Sequence, residues 1–418
     1  MNVATPNLRF KTYSKPWEVQ ALGKLGSFLG GGTPSTENRV YWSGDIPWVS
    51  SSDIKEGDFF GINLHRFITE DAIKNSATKK VPENSLLIVS RVGVGKFAVC
   101  RHEVCTSQDF TSFTPENCSI DFIAYQLYKN KNRLINLGQG TTIKGFTTGD
   151  LASFKLHIPE KDEQQKIANF LTSVDTKISQ LTEKHRLLKD YKKGVMQQVF
   201  SQQIRFKDDD GSAFPDWEEK SLGSLFGWIR TNNLSREKLS ENVTALQNIH
   251  YGDIHTKFHS QFVQIRENIP YVVDAEIGKL VSQADFCKNG DIVIADASED
   301  YADIGKAIEI ISVKESTLVA GLHTYIARPK NKFASGYLGY LFQFNGTRKQ
   351  VQKLAQGVSV LGISKGNIET IKLSVPHIDE QQKIAQFLQS LDKNIDAVNE
   401  QIEQTKLFKK GLLQQMFV

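Results

Sequence analysis

Apolar residues return every three or four positions along two long stretches of this chain. Ile167, Leu171, Val174, Ile178, Leu181, His185, Leu188, Lys192, Val195 and Val199 alternate steps of four and three. Ile384, Leu388, Leu391, Ile395, Val398, Ile402, Thr405, Lys409, Leu412 and Met416 keep the same beat. A sustained 3.5-residue period predicts two long helices, each with a coiled-coil seam. Asp162-Glu163 and Asp379-Glu380 open them, where carboxylates favour the positive end of the helix dipole. A helix of about 38 residues would be about 57 Å long. Each seam could cover only its own globular neighbour, but two matching seams in one chain point to mutual pairing.

The intervening stretches follow another rhythm. Short β-rich runs, Ser85 to Ser90 and Asp291 to Ala295, are bounded by Gly, Pro and Asn. Phe122 to Tyr128 and Leu338 to Phe342 read as helices. Strands and helices do not alternate regularly, which favours α+β domains over a doubly wound sheet.

These patterns occur twice. LHIPEKDEQQKIANFL begins at Leu156 and LSVPHIDEQQKIAQFL at Leu373, 217 positions later, with eleven of sixteen positions identical. The register continues through Lys192-Lys193-Gly194 and Lys409-Lys410-Gly411. Upstream, Leu8-Arg9-Phe10-Lys11 and Trp17 are echoed by Ile204-Arg205-Phe206-Lys207 and Trp217. Such a repeat implies a pseudo-twofold molecule handling two similar things at once. The expected division is a globular domain over 1–155, a helix over 156–203, a second domain over 204–372 and a second helix over 373–418. The helices are nearly constant between copies and the domains diverge, which suggests one common partner and two different ligands.

Hydrophobic content of 39% and charged content of 23% describe an ordinary globular chain and exclude wholesale disorder. A net charge of +4 permits a nucleic-acid partner without demanding one. No apolar run reaches the roughly 20 residues that span a bilayer, and the N-terminal residues lack a signal-peptide core, so a cytoplasmic location and no membrane partner are expected. Four cysteines are too few for a disulfide framework. Cys100, His102, Cys105 and Cys118 match no common zinc spacing, and buried thiols are the expectation.

Catalytic signatures are missing. Gly93-Val94-Gly95-Lys96-Phe97 resembles a phosphate loop, but Ser90 stands where the first Gly belongs and Phe97 replaces the Ser or Thr. Gly30-Gly31-Gly32 lacks the strand-then-helix context of a dinucleotide site. Pro215-Asp216-Trp217-Glu218-Glu219-Lys220 crowds its carboxylates too closely to clasp a metal from separate strands and reads as a linker running into a strand. The amino-methyltransferase tetrad is absent; Asn268-Ile269-Pro270-Tyr271 has Ile where a Pro is required.

What remains suits binding. Tyr41 to Asp53 sets aromatics beside small hydrogen-bonding groups, and Asn248 to His255 is its counterpart. Ser90 to Lys96, opposite Asp296 to Lys306, forms a second loop pair, and Gln139 to Lys144, opposite Gln356 to Lys365, a third. The candidate DNA contacts are Thr33, Ser35, Trp48, Ser50, Ser52, Asp53, Arg91, Lys96, Thr141 and Lys144 in the first half. In the second they are Asn248, His250, Tyr251, Asp253, Asp296, Ser298, Lys306, Ser359 and Lys365.

With DEQQKIAxFL paired, IPWVSSSDI, RVGVGK, YGDIHTKF and VLGISKGNIE, the whole chain resembles the specificity subunits of type I restriction–modification systems. The resemblance implies an α+β, pseudo-twofold protein in which two target recognition domains are separated by two long antiparallel coiled-coil helices. Each domain would read one half of a split double-stranded DNA site. The helices would space the domains and dock two modification (methyltransferase) subunits, through which restriction subunits join. The chain would be non-catalytic and hold no cofactor; S-adenosylmethionine, ATP and Mg would sit on the partners. If antiparallel, the helices would bring Ile178 near Ile402, Leu188 near Leu391 and Val195 near Ile384, with the rod covering some 17 base pairs. The rival readings are a protein–protein scaffold that never touches DNA and a catalytic DNA methyltransferase or nuclease.

Overall fold

A computed structural model describes residues 5–138, 145–280 and 285–418. The two long helices are present as Lys161–Phe200 and Ile378–Gln415. The chain forms two compact units, residues 1–182 with 400–418, and residues 183–399. Each unit therefore combines a globular domain with the start of one long helix and the end of the other.

In the first unit, Gly26–Gly30, Phe110–Pro115, Ser85–Val89 and Phe97–Cys100 form one four-stranded antiparallel sheet. Period-two alternation decides its packing. Leu86 and Ile88 face the helix Ile120–Lys129 and the long helices, while Leu87 and Val89 join Val49 and Ile54 on the other face. That second face carries another sheet of Phe67–Ile68, Ile46–Val49, Val104–Thr106 and Lys80–Val81, with Ile46–Val49 and Val104–Thr106 running parallel.

The second unit repeats this scheme. Phe226–Ile229, Thr324–Pro329, Ile292–Ala295 and Ala307–Ser312 form the sheet, extended by an extra edge strand, Gln261–Val263. Ile292 and Ile294 face the helices, and Val293 and Ala295 face a parallel pair of Gln247–Ile249 and Leu318–Ala320.

A two-stranded ribbon closes each domain at the foot of its helix, Glu18–Ala21 on Lys155–Ile158 and Glu218–Ser221 on Lys372–Val375. The expected boundaries at 155/156 and 372/373 therefore cut through strands. The helices begin only after Pro159-Glu160 and Pro376-His377.

Within the first unit, Ile167, Leu171 and Val174 share a core with Leu412, Leu413 and Met416, and Asp175 meets Lys409 at 2.5 Å. Within the second, Met196 and Val199 share a core with Ile384, Leu388 and Leu391, and Lys192 meets Asp392 at 2.5 Å. Later positions of one helix meet earlier positions of the other, so the helices are antiparallel in both units. Leu171, Val174, Leu181, Ile384, Leu388, Leu391, Ile395, Val398 and Ile402 are buried. Ile178, Leu188 and Val195 are half-buried, and Val195 lies against the cluster that holds Ile384.

The repeated DEQQ motif does more than favour a helix dipole. Asp162 and Asp379 are exposed in the first turns, but Glu163 and Glu380 are wholly buried. Arg9 donates to both oxygens of Glu163 at 2.7 Å, and Arg205 to Glu380 at 3.2 and 2.8 Å. Gln164 donates to the Pro159 carbonyl at 2.9 Å and accepts from the Ser119 N–H at 2.9 Å. Gln381 does the same with Pro376 at 2.9 Å and Ala334 at 3.1 Å. Each glutamate fixes the arm preceding its domain, and each glutamine fixes the domain on the helix.

Candidate nucleic-acid interface

In both domains the parallel strand pair delivers a short turn at the end of its central strand. After Val49 the chain enters a single-turn helix, Ser51–Asp53. Asp53 accepts from the Ser50 N–H at 2.7 Å and the Ser50 hydroxyl at 3.0 Å. A buried carboxylate is costly unless it is paired and hydrogen-bonded. Arg66 donates to Asp53 and Ser50, with its guanidinium 4.8 Å above the Trp48 ring. Ser50 and Ser51 are left half-buried and Ser52 exposed at the tip.

The second domain places His250, Tyr251, Gly252 and Asp253 after Ile249 in the same way. Asp253 receives both terminal nitrogens of Arg236, at 2.5 and 2.7 Å, and Lys257 at 3.1 Å. Burial alone would push this carboxyl up, but the bonds to Arg236 and Lys257 hold it below the ordinary carboxylate range. His250 Nδ1 accepts from the Gly252 N–H at 3.1 Å, so Nε2 carries the proton and remains a donor. Burial, with Arg236 nearby, lowers the His250 pKa and keeps the ring neutral.

An aromatic and imidazole platform surrounds this turn. The Tyr251 ring lies 4.7 Å from His250 and edge-on to His323 at 5.3 Å. His323, in the left-handed region at φ 58°, meets Asp296 at 3.2 Å. His255 Nε2 lies 2.9 Å from the Ala297 carbonyl, and Lys306 donates to the His255 carbonyl at 2.6 Å. Lys365 sits 5.1 Å above the Trp228 ring, whose indole N–H donates to Glu369 at 2.5 Å.

The second loop pair occupies equivalent hairpins. Ser85–Val89 turns into Phe97–Cys100 through Gly93 and Gly95, both near φ +90°. This is a strand-to-strand turn with no following helix, which explains why it fails as a phosphate loop. Arg91 is exposed and Lys96 half-buried. In the first domain the chain just after the third loop, and in the second the third loop itself, lies beside it. The Phe146 N–H donates to Ser90 at 3.0 Å, and the Ile363 N–H donates to Asp296 at 2.9 Å. Thr141 and Lys144 lie outside the described residues; Ser359 and Lys365 are exposed.

Burial corrects five of the expected contacts. Trp48 is 5% exposed and donates its indole N–H to the Gly32 carbonyl at 3.0 Å. Asp53 and Asp253 are consumed by their arginines. Asn248 is fully buried and accepts from Asn232 at 2.8 Å, and the buried Ser298 hydroxyl donates to the Asp300 carbonyl at 2.9 Å. These side chains are buried and bonded within the turns. Thr33 and Ser35 are exposed, Thr33 bonded to Gln108, and Asp296 and Lys306 are half-buried. Sequence reasoning missed Arg66, Arg236, His323 and Trp228. The aligned Asp-Ile pairs at 53–54 and 253–254 signalled a shared turn, but the arginines come from opposite chain directions and carry no common spacing.

The four cysteines are buried thiols, and no cluster of three metal-ligating side chains occurs among the described residues. Among those residues no helix is long and apolar enough to cross a membrane.

A family model described as the type I restriction modification DNA specificity domain matches residues 14–189 and 215–406. The MjaIX specificity subunit of Methanocaldococcus jannaschii is 28% identical over 223 residues, covering 50% of this chain and 52% of that protein. The EcoR124I/EcoR124II specificity subunit of Escherichia coli is 31% identical over 184 residues, covering 42% and 45%. These two alignments span about half of each relative's length. The M. jannaschii MjaVIII specificity subunit aligns over 95% of this chain and 91% of its own length at 22% identity. The fold is similar to that of the S subunit of a type I restriction–modification system from M. genitalium, with a TM-score of 0.57 at 16% identity and 99% coverage of both chains.

Proposed function

The chain belongs to the DNA specificity family of type I restriction–modification systems, and from that membership we propose that it is the non-catalytic, sequence-reading subunit of such a complex. Each domain reads one half of a bipartite site in double-stranded DNA. The helices set the spacing and dock two methyltransferase subunits, which bring in the restriction subunits. S-adenosylmethionine, ATP and Mg belong to those partners. The complex works in the cytoplasm.

One observation carries this reading: two equivalent turns, each braced by a buried Asp paired with a partly exposed Arg, present different side chains. Ser50, Ser52, Arg91 and Lys96, with Thr33, Ser35, Thr141 and Lys144, are the contacts of the first domain. His250, Tyr251, Asp296, Lys306, Ser359 and Lys365 are those of the second. A common frame with a variable tip suits base readout, because hydrogen-bonding groups at the tip select bases while the frame fixes their approach.

The test exchanges residues 1–160, ending before the helix, for the equivalent part of another family member. One half of the methylated sequence should change and the other should persist. Change in both halves, or in neither, refutes modular reading. A scaffold would retain no DNA, and an enzyme would methylate without its partner.

A further inference from the structure

We propose that two lysine-lined clefts, one in each unit, grip the phosphodiester backbone of DNA beside the half-sites; this rests on the DNA-reading function above. The first cleft, about 780 Å³, lies between the helices and the first domain and includes Lys129, Lys131, Lys406, Lys409 and Lys410. The second, about 680 Å³, includes Lys306, Arg348, Lys189, Lys192 and Lys193. The helical lysines are one motif repeated 217 positions apart.

The middle lysine of each trio is structural. Lys409 meets Asp175 at 2.5 Å above the Tyr125 ring, and Lys192 meets Asp392 at 2.5 Å above the Tyr340 ring. Tyr125 and Tyr340 donate to the same aspartates at 2.7 Å. The outer lysines have no such role. Lys189, Lys193, Lys406 and Lys410 are exposed, and among the described residues only Lys406 of the four forms an ion pair, with Glu403 on its own helix. Like charges at i, i+3 and i+4 repel one another. The clefts also include Glu56 and Asp175, or Asp303, Asp392 and Asp396, and beside those carboxylates the outer lysines stay open to an external anion.

Two further features identify it. The domains differ in their reading tips while the lysines do not, so the ligand is common to both halves and independent of base sequence. Each cleft also adjoins a reading end. Lys131 pairs with Glu56, three residues beyond Asp53, and Lys306 belongs both to its cleft and to the His255 cluster. A duplex on the reading turns would carry its backbone past these lysines, whose point charges suit phosphate.

The test uses the full chain assembled with its methyltransferase subunits, carrying Lys189→Ala with Lys193→Ala, or Lys406→Ala with Lys410→Ala. Neither pair touches the Lys–Asp–Tyr knots. Affinity is measured against salt for the methylated sequence and for an unrelated duplex. Each double variant should weaken both duplexes by the same factor and reduce the log–log salt slope by about two, at roughly 0.9 per lost phosphate contact. Arginine at the same positions should restore the slope, which separates charge from folding. An unchanged slope in correctly assembled complexes overturns the proposal. So does loss of methyltransferase assembly with DNA binding intact, which would make the lysines a protein-docking face. If the unsubstituted complex shows no salt-dependent DNA retention, the DNA-reading function itself fails.

Discussion

Buried charge governs the smallest scale. Arg236 is half exposed yet satisfies a carboxylate that is 1% exposed. Arg236→Ala would leave Asp253 with Lys257 alone, costing on the order of 1–3 kcal/mol after allowance for solvent screening of the arginine. The change should show as a lower unfolding midpoint and weaker discrimination in one half-site only. Glu309 offers a pH test. Its carboxylate accepts from the Gly336 and Gly339 N–H groups at 2.7 and 2.6 Å, but burial outweighs them and raises its pKa to about 7. A raised folded pKa stabilises most below the unfolded value and is lost as pH rises through 7. Stability should therefore fall between about pH 4.5 and 8, and Glu309→Gln should flatten that slope in melts across the range. At the tips, Lys96→Ala should weaken binding to all duplexes and lower the salt slope by about one. Arg91 and Lys365 were legible as exposed positive groups, and Lys96 as a positive group that the structure half-buries. The burial of Asn248, Asp253 and Ser298 was not, because a polar residue that meets its partner across the fold looks locally like any surface residue.

At the scale of elements, the seam is the most legible feature. A helix face is set by spacing alone, and no distant residue is needed to define it. The depth of each position was decided by what lies opposite. Leu388 is fully buried beneath the second domain, whereas Leu188 is half-buried. Leu388→Ala should cost on the order of 2–5 kcal/mol, and Leu188→Ala less, as read from denaturant midpoints. Tyr340→Phe removes one bond to Asp392 and should cost about 1 kcal/mol. The buried roles of Glu163 and Glu380 escaped the dipole reading, since their arginines lie 154 and 175 positions away.

For the whole molecule, inserting one heptad into the middle of each long helix should preserve the seam and lengthen it by roughly 10 Å. The methylated half-sites should separate by about three base pairs with their own sequences unchanged. Methylation at the original spacing would show that the helices are not the ruler. The internal repeat, the two seams, the α+β class and the missing catalytic motifs were determined by sequence, because they depend on periodicity, identity between copies and residue type. Tertiary structure decided that each compact unit takes its helical part from both repeats, and that each domain closes with a ribbon beyond its expected boundary. It also decided which polar residues are frame and which are tip. These depend on partners brought together across long separations, where only the folded chain settles which groups lose water.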